Sequence, residues 1–269
     1  MNDDTLLIEV GTEELPPTAA KNLSDHFTGA VTTQLAELGF SHGEVSSFVT
    51  PRRIALSIKQ TITKQPDQEI ERRGPSLKAA YDKDGQPTKA ALGFAKSCGV
   101  ELQQLQTMDT DKGEWLFYKS TEKGISLSEA LPNVINKALD GLPIPRPMRW
   151  GDSDVEFVRP IHWVTIMHGD RVVPATIKNT VASNITYGHR FHAPEPIVLK
   201  HADDYAEQLK KAKVIASFKE RRAAVNTLLN YASEKHQGTL NFTDALLDEV
   251  TNLVEWPMAV VGDFDEGFL

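Results

Sequence analysis

The residues best suited to chemistry in this chain of 269 residues lie in "MRWGDSDVEFVRPIHW", residues 148–163, which places Arg149, Trp150, Arg159, His162 and Trp163 in one short run. A guanidinium presents a planar fork that fits a phosphate and also stacks on flat rings, while indole and imidazole faces stack on nucleobases. That mixture suits RNA. The competing reading makes both tryptophans core residues and has Arg159 fix a turn through backbone carbonyls; residue chemistry alone leaves the two open. Three more basic clusters occur: Arg52-Arg53, Arg72-Arg73, and "KKAKVIASFKERR" at 210–222. In the last, Lys210, Lys211, Lys213, Lys219, Arg221 and Arg222 face the single acid Glu220. Runs of this kind are also ordinary solvated helix faces.

Other chemistries find less support. His189 and His192 form H-x-x-H, but a strand points such a pair to opposite faces, and the zinc-protease spacing on a helix is i, i+4 with a glutamate between. No further ligands stand at suitable spacing, so no metal is expected. The chain has no G-x-S-x-G elbow, no P-loop and no G-x-G-x-x-G after a strand, and Cys98 sits in a predicted helix without a histidine nearby in sequence. Glu13 and Glu14 have the chemistry for acid-base work, yet just ahead of an amphipathic helix they read as complements to its positive N-terminal dipole.

The elements that must position these groups begin with a buried strand, Thr5 to Val10, closed by Gly11. An amphipathic helix follows, with Leu23, Phe27, Ala30, Val31, Leu35 and Leu38 on one face and Gly39 as its stop. "EVSSFVT" and "RRIALSIKQT" read as two strands parted at Pro51, completing a β-α-β-β unit over 1–64. Residues 64 to about 87 are polar and rich in Gly, Pro and Lys, predicting a boundary or long loop at the start of an α+β insertion or second module over 65–142. That module holds a short helix "TKAALGFAKSCG", a strand "EWLFYKS", and a helix "SLSEALPNVINKALDGL" interrupted or started near Pro132. "PIPRPM" runs extended. A β-rich segment over 143–200 is expected to pack with the first unit, with a tight turn at Gly169-Asp170, and 201–269 is mainly helical. The predicted class is α+β, with mixed or antiparallel sheets and packed helices.

A formal net charge of -8 disfavours indiscriminate binding of polyanions, although local clusters override the average. One cysteine excludes an internal disulfide and fits a reducing compartment. The acidic start "MNDDTLLIEV" does not resemble a secretory signal, and no stretch reaches the length of a membrane span, so a cytoplasmic protein is expected.

Seven ordered segments carry a resemblance: "LLIEVGTEELPP", "TPRRIAL", "ERRGPS" with "GFAKSCGV", "DKGEWLFY", "MRWGDSDVEFVRPIHW", "GHRFH" and "VEWPMAVVGDFDEGFL". Together they resemble the N-terminal portion of the bacterial glycyl-tRNA synthetase beta subunit. The resemblance implies a partner alpha subunit that carries the active site and uses ATP with Mg2+, an assembly of two alpha and two beta chains, and a beta chain that chiefly holds tRNA(Gly). It also implies HD-like and anticodon-binding domains beyond the part matched here, so that this portion is not catalytic by itself and has no cofactor of its own. The expected tRNA-facing cations are those of the four clusters, Arg52, Arg53, Arg72, Arg73, Arg149, Arg159, Lys210, Lys211, Lys213, Lys219, Arg221 and Arg222, together with Arg190 of "GHRFH". The alternative is an assembly scaffold that supports the alpha subunit or later beta domains without touching tRNA.

Overall fold

The computed structural model describes residues 3–110, 113–264 and 267. Asp111 and Lys112 of "DKGEWLFY", and Asp265, Glu266, Phe268 and Leu269 of the last segment, lie outside the described residues. The chain opens with strand β1 (Asp3–Thr12), helix α1 (Pro17–Glu37) and the hairpin β2 (Val45–Thr50) and β3 (Arg53–Ile62). Next come β4 (Gln68–Ser76), α2 (Leu77–Ala80), α3 (Lys89–Cys98), β5 (Gln106–Thr110) and β6 (Gly113–Glu122). Helix α4 (Leu127–Asp140) leads to the short strands β7 (Met148–Arg149) and β8 (Glu156–Phe157), then to β9 (Ile161–His168), β10 (Arg171–Val172), β11 (Thr176–Ile177), β12 (Thr180–Ser183), β13 (Ile185–Tyr187) and β14 (Pro196–Val198). Helices α5 (Tyr205–Lys211), α6 (Phe218–Lys235) and α7 (Asp244–Thr251) follow. The architecture is α+β, with no helix long and apolar enough to cross a membrane among the described residues.

Two compact units result, one from residues 1–64 with 126–269 and the other from residues 65–125. Helix α4 therefore belongs to the first unit, not to a module ending at 142. Its buried Leu131, Val134, Ile135 and Ala138 join Phe27, Val31 and Leu35 of α1 in one core. Pro132 does not interrupt it. The capping box of Ser126 and Glu129 starts the helix, and Ser128, whose carbonyl loses its helical partner to the proline ring, is exposed to water. The second unit is an antiparallel sheet in the order β4-β6-β5 over a small core of Ala80, Ala91 and Leu116. Strand β4 occupies part of the stretch that reads as a polar loop. Backbone pairing along β6 holds it there, and its side chains are largely polar, with Lys119 Nζ of β6 2.7 Å from Glu69 and 3.6 Å from Glu71, so it lacks the apolar alternation that marks a strand in sequence.

The first unit is built on a sheet in the order β11-β12-β9-β1-β3-β2, with β10 also paired to β9. Central β1 runs antiparallel to both β3 and β9. Its even-numbered residues Leu6, Ile8 and Val10 enter the core shared with α1 and α4. The odd-numbered residues face the other way, and register makes three rows of them across β9, β1 and β3: Met167, Leu7 and Ser57; Thr165, Glu9 and Ala55; Trp163, Gly11 and Arg53. The first row packs with Tyr205, Leu209 and Val214. The second buries a carboxylate. In the third, Gly11 has no side chain, which lets the indole of Trp163 lie across β1: a Cβ there would stand 1.9 Å from Trp163 Cε2.

Glu9 is fully buried and its two oxygens accept four hydrogen bonds, from Arg53 Nη1 (3.0 Å), Thr186 Oγ1 (2.9 Å), Tyr205 Oη (3.0 Å) and Thr165 Oγ1 (3.0 Å). Arg53, also 0 % exposed, donates its second terminal nitrogen to Glu255 Oε1 (3.1 Å), which takes a further bond from Thr50 Oγ1 (2.7 Å). Burial alone would lower the Arg53 pKa, but the carboxylates of Glu255 and Glu9 outweigh it and hold the guanidinium charged. The segment after α7 is thereby drawn back onto the sheet, and Ile215 N donates to the Glu255 carbonyl at 2.9 Å.

Replacing Arg53→Met leaves two buried carboxylates without their shared cation and is expected to lower unfolding stability by about 3–5 kcal/mol, measured by chemical denaturation. Gly11→Ala forces the Trp163 ring off its seat; a loss of about 1–3 kcal/mol is expected, with an altered near-ultraviolet circular dichroism spectrum at unchanged far-ultraviolet signal.

Candidate nucleic-acid interface

Several segments that stand far apart in sequence meet at one end of this sheet. Thr12 N donates to Arg52 O (2.8 Å), Leu15 N to Pro51 O (2.6 Å) and Glu13 N to Pro160 O (2.9 Å), so "GTEELPP", "TPRR" and "RPIH" are tied backbone to backbone. Over them lies Trp163, 6 % exposed, with Tyr187 edge-on at 5.0 Å and the guanidinium carbons of Arg52 and Arg53 5.6 Å and 5.5 Å from its ring. Arg52 is half-buried, and its buried Nε has no hydrogen-bond partner. Burial lowers its pKa, the like charges of Arg190 and Arg53 push the same way, and Glu255 and Glu13 oppose them. A guanidinium does not give up its proton under these conditions, so Arg52 stays charged at the rim, among two like and two opposite charges.

Glu13 is the organising acid at the rim. Its Oε1 is 3.0 Å from His162 Nε2, and its Oε2 accepts from Arg190 Nη2 at 2.9 Å. Burial pushes its pKa up, but the bonds and charges of Arg190 and His162 prevail and keep it below the usual carboxylate range. Glu13 therefore clamps the start of β9 to the 188–192 loop and does not serve the α1 dipole; the first turn of α1 holds no acid.

The "GHRFH" loop is fastened as firmly. His189 N donates to Ala212 O at 2.9 Å, and its own carbonyl accepts from Ala193 N at 2.9 Å. A Cβ on Gly188 would stand 2.6 Å from Ala193 O. His189 Nδ1 accepts from the backbone amides of Phe191 (3.2 Å) and His192 (3.3 Å), which places the ring proton on Nε2. Burial depresses the His189 pKa below its ordinary 6.5, and His192 and Arg52 depress it further against the pull of Glu255. The rings of His189 and His192 lie 4.4 Å apart, and that of Phe191 lies 6.2 Å from His189. No group of three metal-ligating side chains occurs among the described residues.

The other cations expected to face RNA are dispersed. Arg53 is the core ion just described. Arg221 is 0 % exposed: it donates to the carbonyls of Thr251 (2.9 Å), Ile215 (2.6 Å) and Val49 (2.7 Å), pinning α6 to α7 and β2. Burial brings its pKa down to about 10. Neither of the two reaches a ligand. Arg149 bonds Glu156 (2.8 Å) across the β7–β8 pair and also reaches Asp154, and Arg159 donates to the carbonyls of Glu14 and Val158. The opening run is thus chiefly a brace, with Trp163 in the core. Lys211 pairs with Glu207, and Arg222 with Asp244 and Asp248. Lys213 lies 4.7 Å over the Trp256 ring, while Lys210 and Lys219 are exposed. In the second unit, Arg73 lies 3.8 Å over Trp115 and Arg72 donates to Ser97 O. What the fold brings to this rim is Arg52 against Trp163, Arg190 and His162 on Glu13, and the ring cluster of His189, His192 and Phe191 on the 188–192 loop. In sequence, the two histidines and Phe191 give no signal beyond their H-x-x-H spacing.

The family model described as glycyl-tRNA synthetase beta subunit matches residues 6–269. Curated relatives include the glycine–tRNA ligase beta subunits of Klebsiella pneumoniae subsp. pneumoniae (44 % identical over 270 residues), Cronobacter sakazakii (45 % over 270) and Chromohalobacter salexigens (45 % over 269). Each alignment takes in 100 % of this chain and 39 % of the relative, so the chain spans well under half the length of the proteins it matches. By both comparisons, the chain belongs to the glycyl-tRNA synthetase beta-subunit family.

Proposed function

We propose that this chain is the N-terminal, tRNA-holding part of the beta subunit of a two-subunit glycyl-tRNA synthetase. In this reading it works in the cytoplasm with an alpha subunit, in an assembly of two alpha and two beta chains. The assembly joins glycine to tRNA(Gly), and ATP becomes AMP and diphosphate. The alpha subunit uses the ATP and its Mg2+; this chain supplies a surface for the nucleic acid and no catalytic group. The observation that supports the reading best is Arg52, a half-buried guanidinium that lies 5.6 Å from the Trp163 ring at the rim of the sheet. A guanidinium at a rim presents a planar fork that an incoming phosphate can accept from.

The scaffold reading has its own observation. Leu253, Met258 and Val260 are exposed, the last 88 % so, and apolar groups in succession at a surface mark contacts with protein. It is separable from the first by titration of tRNA(Gly) into the chain mixed with its alpha subunit, at low and moderate salt. With one or two phosphates held, the logarithm of the affinity should fall with the logarithm of salt at a slope of about -1 to -2. Arg52→Ala should weaken binding about tenfold, in line with one lost charged contact. Association with the alpha subunit but no tRNA binding at either salt would hand the function to the scaffold.

The depressed pKa of His189 carries a sign. The fold favours the neutral ring, so its contribution to stability is complete above the ordinary 6.5 and is lost as pH falls through the lower folded value. A bound polyanion pulls the other way. The His189 ring resonances should titrate below pH 6.5 in the free chain and shift upward when tRNA is added, and tRNA affinity should rise as pH falls through that range; an unchanged midpoint would place the RNA elsewhere.

A further inference from the structure

Phosphates alone do not account for the loop at 188–192. Phe191 is 79 % exposed, an apolar ring in water on a loop that His189 N ties to Ala212 O and that Ala193 N closes onto the His189 carbonyl. Nothing in the fold rests on that ring: its contact is with His189 at 6.2 Å, and the packing of the loop runs through Gly188 and His189 instead. An aromatic side chain has only two torsions to order, so it loses little conformational freedom when something stacks on it. Beside it stands His192, exposed and tilted 38° from the neutral ring of His189. Arg190 stands between His189 and Phe191 in the chain, its guanidinium 2.9 Å from Glu13 and 3.7 Å from Glu14, and Arg52 lies 5.6 Å from the Trp163 ring.

Flat rings next to guanidinium groups match one form of RNA better than the other. A base-paired helix hides its base faces and presents phosphates and ribose hydroxyls along a wide groove, for which a protein needs a track of free cations. Most of the other candidate cations in this unit are buried, paired or bonded to carbonyls, as described above. An unpaired nucleotide, in contrast, offers its base face to a ring and its phosphate to a guanidinium within a few ångströms of each other.

Resting on the tRNA-holding reading, we propose that the 188–192 loop is a stacking platform for an unpaired nucleotide of the tRNA, with the base against Phe191 and His192 and the phosphate held by Arg52 and Arg190. Base-on-ring stacking of this kind is worth roughly 5- to 100-fold in affinity.

The test uses the chain together with its alpha subunit and three RNAs: transcribed tRNA(Gly), a blunt hairpin of the same acceptor-stem sequence closed by a stable tetraloop, and a short single-stranded oligonucleotide. Phe191→Ala should weaken tRNA(Gly) and the oligonucleotide roughly 5- to 100-fold, leave the hairpin nearly unaffected, and leave the unfolding midpoint in place because the ring is exposed. Phe191→Trp should retain the affinity. Equal affinity of Phe191→Ala and the parent chain for tRNA(Gly) would overturn the platform while leaving the tRNA-holding reading intact. The platform is overturned in the same way if Phe191→Ala instead loses the alpha subunit and keeps the RNA. Failure of the parent chain to bind any of the three would remove the tRNA-holding reading, and the platform with it.

Discussion

The first unit depends on one buried cation shared by two carboxylates. Arg53 sits between Glu9 in the middle of the central strand and Glu255 near the end of the chain, all three withdrawn from water. Ionic groups are costly to desolvate, and such a link is stable only when its remaining lone pairs and protons find partners. Thr165, Thr186 and Tyr205 supply further partners to Glu9, and Thr50 adds one to Glu255 Oε1. The consequence is positional. A purely apolar contact would let the segment after α7 slide, whereas a forked guanidinium bonded to both acids admits one register. Arg221 repeats the device with carbonyls as partners, so α6, α7 and β2 are joined by directed bonds where apolar packing is thin: of α6 only Arg221 and Val225 are buried.

From that link the geometry of the surface follows. Because Arg53 is pulled inward toward Glu9, its neighbour Arg52, next in the turn between β2 and β3, is left at the rim with Trp163 beneath it. Because Gly11 faces the same side as Glu9, the indole can fall across β1 and fill the place a side chain would take. One strand thus supplies, on alternate residues, an apolar contact, a buried acid and a gap, and these three properties set the depth of what lies above them. The loops at the rim are then fixed by backbone bonds and by Glu13, which gives the exposed rings of the 188–192 segment a defined place.

Much of this architecture is legible in sequence. The short apolar run of β1 closed by Gly11, the helical stripe of α1 and the Gly169-Asp170 turn each state their element in local terms, and the structure has β1, α1 and the turn between β9 and β10 in those places. Two further features carry a signal that only the fold makes plain. Glu9 interrupts a run of apolar residues in a strand covered on both sides, which demands a buried partner. Arg221 falls three residues after Phe218 and four before Val225, on the apolar stripe and not beside it. What sequence does not encode is the identity of the partners. Glu255 meets Arg53 through a pairing of residues 202 apart, and no local pattern specifies that. Strand β4 is hidden for a different reason, since it is held by backbone pairing to β6 while its composition is that of a loop.

The acid at the rim has a consequence for selectivity. Glu13 already satisfies Arg190 and His162, so a phosphate that approaches Arg190 must displace or share a carboxylate that is held there by two partners. An exposed exchange of one anion for another gains little, because partner and competitor carry like charge and the surface pair was weak to begin with. On the proposed reading, a passing polyanion therefore finds small reward at this site. A ligand that also covers the Phe191 ring adds a contribution that no carboxylate of the protein can supply, and that contribution does not fade with salt. The abundance of acids in the chain and the pairing of most of its arginines then act together: charge sets where an RNA can rest, and the exposed ring decides which RNA stays.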